Sequence, residues 1–243
     1  MKLNALTDVG KVRENNEDCF ALVQLEDAAF LAVFDGMGGV NGGEIASDIA
    51  ATSMKEQIEL SYSAKMKPAA IERMLISAFT AANLKIFNYA TEHDMVGMGT
   101  TAVAAIVKDG SVTIAYDGDS RAYCIGDQIK QITTDHTYLN ELLRMGKITE
   151  EEMLNDSRKN IITRALGVSS EIDVEIVSCD PEPGQMLLLC SDGLTNCLND
   201  AQILEICKTQ DFDDIPGVLI QKANENGGID NITVAVLCEE EGK

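Results

Sequence analysis

The chain has 243 residues, of which 45% are hydrophobic, and this size and composition suit one large globular domain or two small ones. It carries 40 acidic and 19 basic residues, which gives a formal net charge of -21. Because a surface this acidic repels nucleic acid and anionic membranes, we expect partners of neither kind. It also repels anionic substrates, so any phosphate site must carry its own local positive charge.

The chain has seven cysteines, an odd number, and none of them form a Cys-x-x-Cys motif. Several fall in apolar, strand-like segments, which favours reduced core thiols over a disulfide framework. The N-terminus lacks the apolar region of a signal peptide, and no apolar run approaches the roughly 18 residues of a membrane span. We therefore expect a cytoplasmic protein, with a monomer as the simplest assembly.

The first predicted strands flank a polar segment. The run RENNED at 13–18 precedes a predicted strand at 19–25. The next apolar segment, FLAVF at 30–34, predicts a buried strand that ends at Asp35, where a glycine-rich sequence turns the chain at once. Taken alone, the polar run reads as a solvated loop, and Asp-Gly after a strand is more often only a hairpin turn.

Two long helices are predicted next, at 43–62 and 68–92. In the second, apolar residues recur at three- and four-residue steps from Ile71 to Tyr89, and Pro68 suits a first helical turn. The two helices are expected to form one layer of the domain. Their apolar stripes are interpreted as core contacts and not as a cofactor site.

The middle of the chain is predicted as a meander of antiparallel strands at 101–107, 112–116, 122–125 and 129–132. The stretch 134–167 is polar and carries two short predicted helices, at 138–145 and 149–154. An insertion of this kind between strands is a candidate mobile flap.

The C-terminal part is predicted to contain strands at 174–177, 186–190 and 231–237, with helices near 201–208 and 215–224. No regular alternation of strand and helix appears along the chain. We therefore expect an α+β fold in which two antiparallel sheets are covered by helices.

Aspartates recur at the ends of four apolar strands. Asp35, Asp119 and Asp192 follow such strands, and Asp230 precedes the last one. One carboxylate at a strand end is ordinary, but the repetition indicates a site. Because the chain has only two histidines and no Cys/His cluster, these oxygen donors favour Mg²⁺ or Mn²⁺ over zinc.

A pair of such ions that share a carboxylate would lower the pKa of a bridging water and aim that water at a phosphoryl group. The carbonyl oxygen of Gly36 is a further candidate ligand, because glycine lets the backbone approach closely. No EF-hand loop, dinucleotide fingerprint, P-loop or nucleophile elbow occurs in the sequence. The acidic clusters therefore carry the functional prediction.

An ordered set of motifs spans nearly the whole chain: Arg13, Glu17 and Asp18, VFDGMGG at 33–39, GTT at 99–101, GDSR at 118–121, Thr134 and His136, ITRALG at 162–167, SDG at 191–193 and DNIT at 230–233. In order and spacing, this set resembles the metal-dependent protein serine/threonine phosphatases, the PPM or type 2C family, in their compact bacterial form. The resemblance implies one phosphatase domain over 1–243. It also implies a β-sandwich of two antiparallel sheets flanked by helices, with a flap at about 137–165.

The resemblance implies a metal-binding role for five residues. Asp35 would bridge two core Mn²⁺ or Mg²⁺ ions, and Gly36 would give its carbonyl oxygen to the second ion. Asp192 and Asp230 would hold the first ion. Asp119, together with Asp192, would hold a weaker third ion.

Three residues are implied as catalytic. Arg13 would bind the substrate phosphate through its guanidinium group and so supply the required local positive charge. Asp18 would act mainly through metal-bound water, and Asp35 through the bridged ions. The water between the metals would attack phosphorus directly, without a phosphoenzyme. The implied activity is hydrolysis of phosphoserine and phosphothreonine on proteins, opposite a bacterial serine/threonine kinase.

The sequence departs from the family pattern at one point. Relatives commonly place a histidine two residues after the metal-binding aspartate or after the paired glycines, whereas this chain has Met37 and Val40 there. That histidine is proposed as the general acid, so its loss would slow alkyl phosphates roughly 10- to 10³-fold and aryl phosphates less. The motif position of His136 favours a structural role over a replacement acid.

This departure keeps two other readings open. One is a catalytically weak relative that binds phosphoproteins or acts as a scaffold. The other retains the chemistry but acts on a non-protein phosphoester or on a regulatory phosphoprotein.

Overall fold

The structure is a computed structural model that describes residues 1–38, 42–154, 156, 158, 160–182 and 184–239. The strands in these residues are β1 (Lys2–Asp8), β2 (Asp18–Gln24), β3 (Ala28–Met37), β4 (Gly99–Thr100), β5 (Ala102–Lys108), β6 (Ser111–Asp117), β7 (Arg121–Ile125), β8 (Ile129–Gln131), β9 (Glu175–Cys179), β10 (Met186–Cys190) and β11 (Ile232–Cys238). The helices are α1 (Gly42–Ser61), α2 (Pro68–Glu92), α3 (Tyr138–Arg144), α4 (Glu150–Leu154), α5 (Asp192–Thr195), α6 (Asp200–Thr209) and α7 (Ile215–Glu225).

The strands form two sheets, and the described pairs are antiparallel. One sheet has the order β1-β11-β10-β7-β8. The other has the order β2-β3-β5-β6-β9, and β4 pairs with the end of β3. The expected fold class, two antiparallel sheets flanked by helices, is confirmed.

Three apolar layers hold the sandwich together. Leu31 and Val33 of β3 pack between the sheets with residues of β5, β10 and β11. Phe30 and Phe34 of the same strand face the other way, into the layer formed with α1 and α2. A third layer joins the outer face of β10 and β11 to α6 and α7. Because β3 is buried on both faces, it reads in the sequence as a continuous apolar run and not as an alternating one.

The predicted meander is wrong between its second and third strands. β6 pairs with β5 in one sheet, whereas β7 pairs with β10 and β8 in the other. The chain passes between the sheets through Gly118, whose φ of +117° favours glycine. Apolar strands in succession have the same pattern whether they pair or change sheets. This crossing brings Asp119 to the end of the sandwich.

The strand that carries Asp35 is longer than predicted. β3 continues to Met37, because Gly36 and Met37 pair with Thr100 and Gly99 of β4. The chain therefore does not turn directly after Asp35. Both Asp35 and Met37 keep strand geometry and share one face of β3.

Three elements were not predicted, one of them the two-residue strand β4. β1 has Leu3 and Ala5 packed toward the layer between the sheets, but its Leu6 is exposed. This short pattern is too weak to indicate a strand from sequence. The four-residue helix α5 begins at Asp192 and is shorter than periodicity can detect.

The stretch 134–167 carries α3 and α4, as predicted. Antiparallel bridges join Thr137 to Ile162 and Thr100 to Leu166, so the stretch closes on itself and on β4. Val40, and residues 155, 157 and 159 of the predicted flap, lie outside the described residues. Among the helices that the structure describes, none has the length and apolar character needed to cross a membrane.

Candidate active site

The structure brings the predicted aspartates together at one end of the sandwich. Asp18, Asp192, Asp119 and Asp230 all lie close enough to Asp35 for their charges to act on it. Asp18 is the cross-strand neighbour of Asp35 in the pairing of β2 with β3. The other three come from the β6–β7 crossing, the start of α5 and the residue pair before β11. Distant parts of the chain therefore build one carboxylate cluster.

Burial and mutual repulsion dominate the electrostatics of this cluster. Burial, followed by the charges of Asp18 and Asp192, raises the pKa of Asp35 well above its ordinary value. Burial also raises the pKa of Asp18 to about 7 and that of Asp119 to about 7. The pKa of Asp192 is raised by burial and by Asp230. These carboxylates resist full ionisation at neutral pH unless positive charge joins them.

The chemistry of the donor set fits a hard divalent cation. The donors are carboxylate oxygens, and Asp18 Oδ1 is buried without a hydrogen-bond partner. In the part of the chain that the structure describes, however, no three acidic, histidine or cysteine side chains already stand where they could hold one ion.

Gly36 lies where three backbone segments meet. A Cβ on Gly36 would come within 2.2 Å of the Gly43 carbonyl oxygen and 2.4 Å of the Glu17 carbonyl oxygen. The Gly36 N–H donates to the same Glu17 carbonyl at 3.1 Å. Only glycine fits this crowded point, which places the start of α1 directly beside Asp35.

Arg13 contacts the acidic cluster from outside. Its Nη2 donates to Asp230 Oδ2 at 2.9 Å, and 51% of its side chain is exposed. Asp230, Glu17 and Asp35 raise the pKa of Arg13 against the opposing effect of burial, so the guanidinium stays charged. The structure thus places an exposed guanidinium group at the edge of the cluster.

Asn231 positions the segment that carries Arg13, a role that the sequence reasoning missed. Its Nδ2 donates to the carbonyl oxygens of Val9 and Asn15, both at 2.9 Å. Its Oδ1 accepts the Glu17 N–H at 2.8 Å. The adjacency of Asn231 to Asp230 in the DNIT motif was the only available signal.

Ser191 orients Asp18 and was also missed. Its hydroxyl donates to Asp18 Oδ2 at 2.7 Å and accepts the Thr233 N–H at 2.9 Å. The hydroxyl thereby connects β2 to β11 beneath the cluster. Glu17 was likewise given no role, although burial, with smaller effects from Asp230 and Glu44, raises its pKa. Its place in the motif set beside Asp18 was the only signal that separates it from the other acidic residues.

His136 holds the loop that carries Asp119. The Gly118 backbone N–H donates to His136 Nδ1 of the imidazole ring at 3.0 Å. The backbone N–H of His136 in turn donates to the Gly118 carbonyl oxygen, also at 3.0 Å. The imidazole stacks on Tyr116 with 5.0 Å between ring centroids, and its Nε2 lies 3.2 Å from Glu175 Oε1. Because Nδ1 accepts a hydrogen bond, Nε2 carries the proton. These contacts support the structural interpretation of His136.

We expect His136→Leu to destabilise the fold more than His136→Asn does. Leucine leaves the buried Gly118 N–H without an acceptor, at a cost of about 1–3 kcal/mol, whereas the asparagine carbonyl can replace Nδ1. Thermal unfolding should show a loss of several degrees for the leucine variant and a smaller loss for the asparagine variant. Equal losses would show that the hydrogen bond to Gly118 is unimportant.

Comparisons with known proteins identify the family of the chain. The model of the protein phosphatase 2C family matches residues 11–227. The chain is 40% identical to the serine/threonine phosphatase stp of Listeria innocua over 235 residues, which cover 95% of this chain and 93% of that protein. It is 35% identical to the protein phosphatase PhpP of Streptococcus pneumoniae over an alignment that is 253 residues long, gaps included, and covers 99% of this chain and 98% of that protein.

Solved structures show the same similarity. The S. agalactiae serine/threonine phosphatase superposes with a TM-score of 0.91 at 33% identity, covering 98% of this chain and 99% of that one. The catalytic domain of the phosphatase PstP, in complex with two manganese ions, superposes with a TM-score of 0.81 at 32% identity, covering 97% of this chain and 96% of that one. The chain belongs to the protein phosphatase 2C family, which confirms the family and the enzyme class that its motifs predict.

Proposed function

We propose that this protein hydrolyses phosphoserine and phosphothreonine on proteins, with Mn²⁺ or Mg²⁺ as its cofactor. The observation that carries the proposal is the convergence of four aspartates on Asp35 beside an exposed Arg13. Buried carboxylates that raise one another's pKa are costly to keep, and such clusters are typical of functional sites. The names of the bacterial relatives support the same substrate class.

The expected ligand set follows from the donors in the cluster. Asp35 would bridge two ions, Gly36 would offer its carbonyl, and Asp192 and Asp230 would complete the first ion's shell. Asp119 would hold a third ion with Asp192. The two manganese ions in the PstP catalytic domain support this assignment. When bound, such ions lower the pKa of a bridging water and so supply the nucleophile.

The remaining catalytic roles belong to side chains of the chain itself. Arg13 would exchange its contact with Asp230 for the substrate phosphate, which it can do because half of its side chain is exposed. Its guanidinium group would orient the phosphate and offset the negative charge of the cleft. Asp18, fixed through one oxygen by Ser191, keeps Oδ1 free to hold water beside the ions.

We also propose the setting in which this chemistry takes place. Residues 1–243 would act as one phosphatase domain with residues 137–165 as its flap. The protein would be a cytoplasmic signalling monomer that opposes a serine/threonine kinase. Six of the cysteines are free thiols, at positions 19, 124, 179, 190, 197 and 207, which supports a reducing compartment. The net charge of -21 supports protein partners over nucleic acid or anionic membrane.

The direct test is hydrolysis of an aryl phosphate and of a phosphothreonine peptide, each with Mn²⁺ and with a chelator. Metal-dependent turnover of both substrates is the expected result. Turnover of the aryl ester alone would indicate that protonation of the alkoxide is impaired, as the absence of the family's histidine predicts. Turnover of neither substrate, with metal bound, would favour the binding or scaffolding alternative.

We expect Arg13→Ala to raise KM for the phosphothreonine peptide by about 10- to 100-fold. This range corresponds to one charge-assisted hydrogen bond, worth about 1.5–3 kcal/mol. Arg13→Lys should lie between wild type and alanine, because lysine keeps the charge but loses the guanidinium fork. Arg73→Ala, which removes an exposed arginine on α2, is the control and should leave KM unchanged. An unchanged KM in Arg13→Ala would remove Arg13 from the phosphate site.

A further inference from the structure

An apolar surface lies beside Asp35 on the same face of β3. Met37 follows Asp35 by two residues in the strand, so the two side chains point to one face about 7 Å apart. Met37 Cε lies 3.2 Å from the position that a Cβ on Gly99 would occupy, and Val168 Cγ1 lies 3.0 Å from the same position. Met37 and Val168 therefore both border Gly99, and we call the surface that they form the apolar shelf.

The backbone holds the shelf in place. Thr100 and Leu166 exchange backbone hydrogen bonds of 3.0 and 2.9 Å, which fix the segment that returns from the predicted flap against β4. A Cβ on Gly99 would lie only 2.7 Å from the Leu166 carbonyl oxygen, so glycine is required for this approach. Val168 follows this anchored segment by two residues. The shelf is thus built on paired backbone and not on a free loop.

The shelf is open to solvent. Val168 is 48% exposed, and Val96, on a neighbouring loop, is 95% exposed. The Gly97 carbonyl oxygen lies 3.3 Å from the position of a Cβ on Gly38, which places the Val96 loop next to the end of β3. A single exposed apolar residue is ordinary, but Val168 lies with the half-buried Met37 beside the carboxylate cluster. Neither residue carries charge, in a chain whose net charge is -21.

We propose that the apolar shelf binds the apolar side chain of the residue two positions from the phosphoserine or phosphothreonine of the substrate. This inference rests on the proposed function. With the phosphate at Asp35, the shelf begins about 7 Å away along β3. Successive side chains of an extended peptide point to opposite sides, and side chains two residues apart share one side at about 7 Å. The shelf therefore selects substrates by the residue two positions from the phosphorylated one, independently of Arg13.

The test compares phosphothreonine peptides that differ at one position, leucine against aspartate, two residues before or two residues after the phosphothreonine. We expect leucine on one side to raise kcat/KM on the order of tenfold, the usual effect of one well-placed apolar group. Val168→Ser should reduce this preference severalfold. Val168→Glu should abolish it and favour instead a third peptide with lysine at the same position, because it places a negative charge on the shelf.

Leu60→Ser is the matched control, since Leu60 is 84% exposed near the far end of α1 and should leave the preference intact. Thermal unfolding checks that each variant is folded. Turnover of the aryl phosphate with equal kcat/KM for all peptides would overturn the shelf while leaving the proposed function in place. An unchanged preference in both folded Val168 variants would also overturn it. If wild type hydrolyses neither aryl phosphate nor peptide with Mn²⁺, the proposed function fails and the shelf fails with it.

Discussion

Asp35→Asn is expected to lower the Mn²⁺-dependent turnover of an aryl phosphate on the order of 10³-fold. Asparagine keeps the shape of the side chain but removes the charge that would bridge two ions. Metal-ion catalysis is worth several kcal/mol, and each 1.36 kcal/mol corresponds to a tenfold change in rate. The measurement is kcat/KM over a series of Mn²⁺ concentrations, because loss of a bridging ligand should weaken metal dependence as well as turnover.

The same variant gives a second readout that separates a catalytic role from a structural one. In chelator at pH 8, Asp35→Asn should melt at the same temperature as wild type or higher. The reason is that burial and four neighbouring aspartates oppose ionisation of Asp35 in the folded protein. Asp180→Asn, at an exposed position after β9, is the control for both measurements. A variant that loses activity only because it unfolds would contradict the assigned role.

The parts of the fold that periodicity encodes were predicted well. The helix predicted at 68–92 coincides with α2, because its apolar residues repeat over about five turns and Pro68 marks its start. The strand predicted at 186–190 coincides with β10 for a similar reason, since it is short, apolar and bounded by polar residues. In both elements, the spacing of the buried apolar residues is set within the element itself, so it can be recognised in a single sequence.

Contacts between residues that lie far apart in the sequence could not be predicted in the same way. Whether β6 and β7 pair or change sheets depends on Gly118 and on its bonds to His136, which lies 18 residues further along the chain. The supporting roles of Ser191 and Asn231 depend on contacts across 173 and more than 200 residues. The carboxylates themselves could be predicted because each one ends or begins an apolar strand. The residues that hold these carboxylates in place could not be predicted, since a single serine or asparagine has no distinctive sequence pattern.

In the absence of divalent metal, the stability of the protein should fall as the pH rises from 6 to 8. In the folded protein, the pKa of Asp18 and that of Asp119 are each raised to about 7 from an ordinary 3.8. Between these values the folded state binds more protons than the unfolded state, so the free energy of unfolding falls with increasing pH. We expect the melting temperature in chelator to fall on the order of 5 °C over this range.

Saturating Mn²⁺ should reverse the direction of this change. Ions bind the deprotonated carboxylates of the folded state, so protons compete with metal at pH 6 and not at pH 8. Free metal at about 100 times its dissociation constant adds about 2.7 kcal/mol to the free energy of unfolding, which raises the melting temperature by roughly 5–10 °C.

Asp18→Asn should flatten the pH dependence of the melting temperature in chelator, whereas Asp180→Asn should retain it. If chelator-treated wild type melts higher at pH 8 than at pH 6, the buried aspartates are not the groups that couple protons to folding. The raised pKa values, the metal affinity and the activity would then need separate explanations, because a single cluster of repelling carboxylates links all three here.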